Sequence, residues 1–227
     1  LTTSQVPKLT TSEVASLTTS QVVALSTDQV QSLQVSQLVA MTDAQVNALT
    51  TTQISGLTTA QIVALTSLQA QGLSNSQLQT LSSTQLQSVE STDLRALSAT
   101  QVTALSTSQL SVLTTGVQIA ALEADDFTNM TSTQVQSLTT DQVKVLTTGA
   151  SGQIQALTSP VVNNLSTGQV GALSSTQVGF LSNAALQNLS TDRVAALAVA
   201  GLSTAQLSQL TSTQVGSLTT GQVQALS

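Results

Sequence analysis

Large aliphatic residues recur at every eighth position along most of the chain. From Leu1 to Leu113 they form 14 consecutive intervals of eight residues, and small polar residues follow most of them. If this octad is numbered from its first aliphatic residue, its consensus is Leu-Thr-Thr-x-Gln-Val-x-Ala. In the first 14 octads, position 2 is Ser or Thr in 12 and position 5 is Gln in 12. A strict short period of this kind predicts a tandem-repeat fold.

Neither a single long helix nor a plain strand accommodates this period. In an α-helix, eight residues turn by about 80° beyond two full turns, so the aliphatic stripe would wind around the helix axis. In a strand, positions 1 and 6 differ in parity and would point to opposite faces of the sheet. The backbone therefore has to change direction within each octad.

Positions 2 to 5 carry the signature of a helix N-terminus. Ser/Thr-x-x-Gln is a capping box, and the aliphatic residues at positions 1 and 6 form the hydrophobic staple around it. The expected caps include Thr18, Gln21, Thr58 and Gln61, and the expected core residues include Leu17, Val22, Leu57 and Ile62. Because each cap ends the helix before it, we expect helices of about five to seven residues, one per octad.

So short a helix is not stable alone in water, and one octad has only two or three aliphatic side chains to bury. The octads must therefore stack on one another, as repeats do in a solenoid. We predict an all-α solenoid of very short capped helices in which small residues at position 8 allow close approach. A β-solenoid is the alternative, which the Thr and Val content favours.

The repeat extends over residues 1–227 as one continuous domain of about 28 octads. Its irregular segments are 114–122, where the register slips by one residue, 147–157, which has an insertion of three, and 198–202, which is shortened to five. We expect a loop at 147–152 and a longer helix over 194–200 that Gly201 closes. Since Leu1 and Leu226 both start an octad, we interpret the chain as a fragment of a longer one.

Composition argues against several functions. The sequence contains no His and no Cys, so the usual nucleophile–base pairs and zinc ligands are missing, and we expect no catalytic residues and no cofactor. Lys and Arg number only four and lie far apart, which argues against nucleic-acid binding. No run of 18 apolar residues exists to span a membrane.

One acidic cluster stands out, formed by Glu123, Asp125 and Asp126. These carboxylates are a minor candidate for a Ca²⁺ site, since calcium takes several oxygen ligands. The favoured interpretation is that they lie in a first helical turn, where the helix dipole stabilises acids. Two other pairs are expected to be solvated surface charges: Asp93 with Arg95, and Asp192 with Arg193.

The unit Leu-Thr-Thr-x-Gln-Val-x-Ala-Leu, found at residues 17–25 and 57–65, resembles octapeptide tracts of large secreted bacterial surface proteins. Many of these proteins are adhesin-like or fibre-forming. The resemblance covers the whole chain and implies an extracellular shaft that self-associates end to end or laterally, with no catalytic residues to transfer. The alternative is a binding module in which a Thr-rich face engages a receptor, a surface or ice.

Overall fold

The computed structural model describes residues 1–226. Within this range the regular structure consists of 24 α-helices of four to six residues, two 3-10 turns and one π-helical turn, with no strand. The predicted fold of very short helices is confirmed, and the β-solenoid alternative is wrong. The chain divides into two compact units, unit 1 at Leu1–Leu113 and unit 2 from Thr114 onward. One continuous repeat domain stays a prediction.

Unit 1 opens with a 3-10 turn at Val6–Lys8. Its α-helices are α1 (Thr11–Ala15), α2 (Thr19–Val23), α3 (Thr27–Gln31), α4 (Val35–Ala40), α5 (Asp43–Asn47), α6 (Thr51–Ser55), α7 (Thr59–Val63), α8 (Ser67–Gln71), α9 (Asn75–Thr80), α10 (Ser83–Ser88), α11 (Ser91–Ala96), α12 (Ala99–Ala104) and α13 (Thr107–Val112).

Unit 2 opens with the π-helical turn at Thr115–Ile119, and a 3-10 turn lies at Val199–Gly201. Its α-helices are α14 (Ala124–Asn129), α15 (Ser132–Ser137), α16 (Thr140–Lys144), α17 (Ser159–Val162), α18 (Thr167–Ala172), α19 (Ser175–Gly179), α20 (Asn183–Gln187), α21 (Thr191–Ala196), α22 (Thr204–Leu207), α23 (Ser212–Gly216) and α24 (Thr220–Ala225).

Most helices begin at a capping box on position 2 of the octad. At α2 the Gln21 amide donates to Thr18 Oγ1 at 3.2 Å, and the Thr18 amide donates to Gln21 Oε1 at 2.8 Å. Thr58 and Gln61 exchange the same two bonds at α7, at 3.2 and 2.9 Å. The capping residue has an extended backbone, with φ −73° and ψ 156° at Thr18. This extended residue turns the chain and separates consecutive helices with almost no loop.

In unit 1 each helix packs against the third helix after it, from α1 with α4 to α10 with α13. One turn of the solenoid therefore contains three octads. Positions 1 and 6 fill the interior: Leu57 is 4% exposed, and Ile62 and Val22 are each 1% exposed. Leu17 lies in the first turn and is only half-buried.

Small residues at position 8 let neighbouring turns approach closely, as expected. A Cβ atom added to Gly56 would overlap the Thr27 side chain, and one added to Gly72 would overlap the Asn47 side chain. Both neighbours lie in the preceding turn of unit 1.

Two irregular segments of unit 2 keep one or both of the capping bonds. At the register slip, the Thr114 amide donates to Gln118 Oε1 four positions on at 2.9 Å, and a π-helical turn absorbs the extra residue. At the insertion, Thr147 and Gln153 exchange capping bonds of 3.0 and 3.1 Å across six positions. The residues between them form the expected loop, with Gly149 at φ 114°, a conformation that favours glycine.

The expectation of a longer helix over 194–200 is wrong. Helix α21 ends at Ala196, and Val199–Gly201 forms a separate 3-10 turn that packs against α19. Gly201 does not close a helix in the left-handed conformation. Its Cα instead lies so close to the Ser175 backbone that a Cβ atom would overlap the Ser175 carbonyl. A close approach of two turns is therefore the reason for this glycine.

Candidate functional site

The position-5 glutamines join the turns of the solenoid as well as capping helices. Gln61 is 1% exposed, and its Oε1 atom serves the cap of α7. Its Nε2 atom points into the preceding turn, where it donates to the carbonyls of Val30 at 3.1 Å, Gln31 at 3.2 Å and Leu33 at 2.9 Å. These carbonyls lie at the end of α3, where a helix leaves carbonyls without an intrahelical donor. One side chain thus completes the start of one helix and the end of another.

This arrangement recurs through both units, and we call it the glutamine ladder. The side chains whose Nε2 atom donates to a carbonyl of the preceding turn include Gln29, Gln37, Gln45, Gln53, Gln61, Gln69, Gln77, Gln85, Gln101 and Gln109 in unit 1, and Gln153, Gln169, Gln177, Gln206, Gln214 and Gln222 in unit 2. Because most of these side chains are buried, the bonds are shielded from water and the ladder fixes the register between turns.

The ladder keeps its acceptors even where the repeat is irregular. In unit 1 the position-1 carbonyl lies 28 residues before the glutamine, as Leu33 does before Gln61. After the insertion of three residues the interval is 31, from Gln169 to Leu138. After the shortened segment it is 25, from Gln206 to Leu181. The acceptor is the position-1 residue each time, so the insertion and the deletion leave the contact unchanged.

Several octads have another residue at the ladder position: Glu13, Asp93, Asp126, Val161, Ala185 and Arg193. Arg193 retains the donor half of the glutamine's function, since its Nε atom donates to the Leu165 carbonyl at 2.6 Å, 28 residues earlier, but it has no acceptor for the cap amide. It also donates through Nη1 to the cap residue Ser190 at 2.9 Å. The expectation that Arg193 is only a solvated charge is therefore wrong.

Asp93 in α11 is also not the surface charge that the sequence predicted. It is 3% exposed, and the Ser67 hydroxyl of α8 donates to its Oδ1 atom at 2.7 Å. Its Oδ2 atom is buried and has no hydrogen-bond partner among residues 1–226. Burial raises the pKa of this carboxyl, and the Glu90 carboxylate raises it further, while the Ser67 bond acts in the opposite direction.

Asp93 borders a cavity of about 20 Å³ inside unit 1, which is enough for one water-sized group. Apart from Asp93, the side chains that line the cavity are aliphatic: Ile62, Leu65, Ala70, Leu73, Leu78, Leu81, Leu86, Val89, Leu94 and Leu97. The cavity adjoins Asp93, whose side chain is one methylene shorter than that of the glutamine usual at its position.

The carboxylates proposed for calcium do not form a joint site. Glu123 is the cap of α14, and its amide donates to Asp126 Oδ2 at 2.8 Å. Asp126 is 3% exposed whereas Asp125 lies on the surface. In residues 1–226 no group of three acidic side chains is placed to hold a metal ion. Burial is the main reason that the pKa of Asp126 is raised to about 6, with the neighbouring carboxylates adding to the shift.

A chain of octads, most of which carry a helix cap and a ladder bond to the preceding turn, defines a repeat-based structural protein. It belongs to the ALTTAQ repeat family, whose model matches residues 1–35, 27–59, 86–116, 119–159, 150–183 and 199–227, more than half of the chain. The tandem-repeat part of the resemblance is thereby confirmed. None of the curated proteins compared with the chain matches it. Across residues 1–226, the helices are all too short to cross a membrane.

Proposed function

We propose that this chain is the shaft of an extracellular bacterial fibre, filament or adhesin. The observation that carries the proposal is the glutamine ladder. Within each unit, bonds of the same kind hold one turn to the preceding turn, so further octads extend the structure without a new kind of contact. A shaft has this requirement, because its length has to grow while its local structure stays constant.

Surface chemistry supports the same proposal. The exposed positions of the octad carry mainly hydroxyl and amide groups, and the whole sequence has four basic and ten acidic residues. Little electrostatic repulsion therefore opposes contact between chains. Self-association, end to end or lateral, is the partner interaction that the proposal includes. The resemblance to secreted surface proteins supports the extracellular location.

Catalysis, cofactors and nucleic acid are not part of this proposal. Nucleophilic catalysis needs an activating base, and the sequence has neither His nor Cys to form the commonest pairs. The two buried acids, Asp93 and Asp126, lie among core residues of the solenoid. Four dispersed basic residues offer no patch for phosphates.

Negative-stain electron microscopy of the purified chain over a concentration series tests the shaft. We expect elongated particles that join into filaments as concentration rises. The control is a variant with Gln61→Glu and Gln109→Glu. It should lose the elongated form, because the side chains at these two ladder positions can no longer donate to the carbonyls of the preceding turn. Compact particles of one size at every concentration, or filaments that the variant forms equally well, would contradict the proposal.

Location is tested separately in the source organism. An antibody raised against this chain should label intact cells, and protease added outside should remove the label. Label that appears only after the cells are permeabilised would contradict an extracellular role, whatever the microscopy of the purified chain gives.

The binding module is a second candidate, which the exposed hydroxyls at positions 2 to 4 favour. Thr50, Thr51 and Thr52 are all exposed, and Thr50 Oγ1 already accepts the cap bond from the Gln53 amide at 3.2 Å. We expect substitution of Thr51 and Thr59 by Lys to abolish binding to a cell surface or to ice without changing the melting temperature. Filament formation that persists in this variant, with no binding lost, would favour the shaft alone.

A further inference from the structure

Asp93 occupies a ladder position, and its buried Oδ2 atom has no hydrogen-bond partner among residues 1–226. One octad earlier, Gln85 Nε2 donates to the carbonyls of Ile54, 31 residues before it, and Leu57, 28 residues before it. The same intervals counted back from Asp93 give Ile62 and Leu65. Both of these residues line the cavity beside Asp93. A ladder side chain at residue 93 would therefore donate to carbonyls at the end of α7, and Asp93 borders the same cavity as the two residues that carry them.

An ionised carboxylate cannot fill this position, because it has only acceptor atoms and the preceding turn presents acceptors as well. A protonated carboxyl can, because it supplies one O–H donor. The Ser67 hydroxyl already donates to Oδ1, so the proton belongs on Oδ2, the atom that lacks a partner among the described residues. The neutral acid then has one acceptor and one donor, as a glutamine amide has, although its acceptor serves Ser67 and not the cap of α11.

We propose that Asp93 is a proton-dependent member of the glutamine ladder. It joins two turns by a hydrogen bond when its Oδ2 atom carries a proton, and this bond is lost when the proton is lost. The site binds a proton and no other ligand. Mild acid thus stabilises the contact between these two turns, whereas the contacts made by the ladder glutamines do not respond to pH.

Within unit 1, helix α8 and the cavity lining place no basic group against Asp93. Helix α8, which packs against α11, has no ionisable residue, and residues 44–89 and 96–113 of unit 1 contain none either. On its own helix, Glu90 has the same sign and Arg95 is exposed. With aliphatic side chains on the cavity side, desolvation therefore favours the neutral acid.

Asp126 in unit 2 places a second buried acid at the ladder position. Its carboxyl accepts from the Glu123 amide, and the negative charges of Glu123 and Asp125 add to the rise of its pKa that burial causes. Its folded pKa of about 6 lies above the ordinary value of 3.8. The stability it contributes is therefore complete below pH 3.8 and is lost as the pH rises through about 6. Between about pH 7.5 and about pH 5, this group lowers the unfolding equilibrium constant about tenfold.

Thermal unfolding of the full chain between about pH 7.5 and about pH 5 tests the proposal. The variants are Asp93→Gln, Asp126→Gln and a control, Asp43→Asn, which removes an exposed acid from α5. We expect the melting temperature of the unchanged chain to rise as the pH falls. Asp93→Gln should be more stable near neutral pH and should lose part of that rise, and Asp43→Asn should keep all of it. A tenfold change in equilibrium constant corresponds to a shift of about 3–6 °C in a chain of this size.

Three further measurements distinguish a proton on Asp93 from a bound metal ion and from a pH effect elsewhere in the chain. The carboxyl ¹³C shift of Asp93 should show that its pKa lies above the ordinary aspartate value, and a carboxyl that ionises at or below that value would overturn the proposal. Hydrogen exchange of the α8 and α11 amides should accelerate with pH, beyond the intrinsic rate, in the unchanged chain but not in Asp93→Gln. Equal acceleration in both would overturn it. Stabilisation of the unchanged chain, and not of Asp93→Gln, by added Ca²⁺ or Na⁺ would also overturn it, since a metal ion would then fill the position.

Discussion

Replacing Gln61 by Glu separates the two functions of a ladder residue. The carboxylate keeps an acceptor for the Thr58 amide, so the cap of α7 is preserved. The substitution removes the Nε2 donor, which in the native chain bonds the carbonyls of Val30, Gln31 and Leu33 at 3.1, 3.2 and 2.9 Å. An acceptor then faces three acceptors at a position that is 1% exposed.

The expected loss of stability is large for a substitution that replaces an amide NH₂ group by a charged oxygen. Each lost hydrogen bond removes about 1 kcal/mol net, and a buried charge left without a partner costs about 3–5 kcal/mol. We therefore expect Gln61→Glu to lower the free energy of unfolding by about 3–5 kcal/mol near neutral pH. Acid should restore part of this loss, because the protonated Glu can donate.

Gln21→Glu is the matched control. Gln21 lies in the first turn, is exposed, and hydrogen-bonds only Thr18 among the described residues. Glu13 already occupies the same octad position in α1 with a complete capping box. We expect a change within about 0.5 kcal/mol, measured by urea denaturation followed by circular dichroism. Equal losses in the two variants would refute the ladder, because only the shared cap function would then matter.

Two further predictions use paired positions. Gly201→Ala should destabilise unit 2 by about 1–3 kcal/mol, because the added methyl overlaps the Ser175 carbonyl, whereas Gly216→Ala meets nothing within 4 Å and should stabilise α23 by up to about 1 kcal/mol. Thermal melts of both variants check this, and equal effects would contradict the close approach at residue 201. Thr58→Ala should cost about 1 kcal/mol through loss of the α7 cap, and Thr59→Ala close to nothing. Denaturation curves that place the larger loss at Thr59 would show that the cap is not the stabilising feature.

The capping boxes could be predicted from the sequence because they are local. Thr58 and Gln61 lie three positions apart, so their bonds depend on one helical turn alone. The hydrogen bonds of the Gln61 Nε2 atom could not be predicted, since the carbonyls that accept them lie 28 to 31 residues away. The burial of Asp93 could not be predicted for the same reason. An acid in a first helical turn is normally solvated, and only the packing of α8 on α11 buries it.

The sequence nevertheless contained a signal for the glutamine ladder. A capping box accepts Glu as readily as Gln, yet position 5 is Gln in 12 of the first 14 octads and Glu only at Glu13. A cap alone does not explain this preference, but a buried amide that must also donate does.

The sequence by itself determined where most helices start, which positions form the core and that the octads must stack, because caps, staples and aliphatic period act within eight residues. The tertiary structure decided that three octads make one turn, that most of the ladder glutamines are buried, and which acidic side chains are buried with them. These properties depend on how closely one turn fits against the next. That fit is set by contacts between residues about three octads apart, such as Gly56 with Thr27, which no single octad contains.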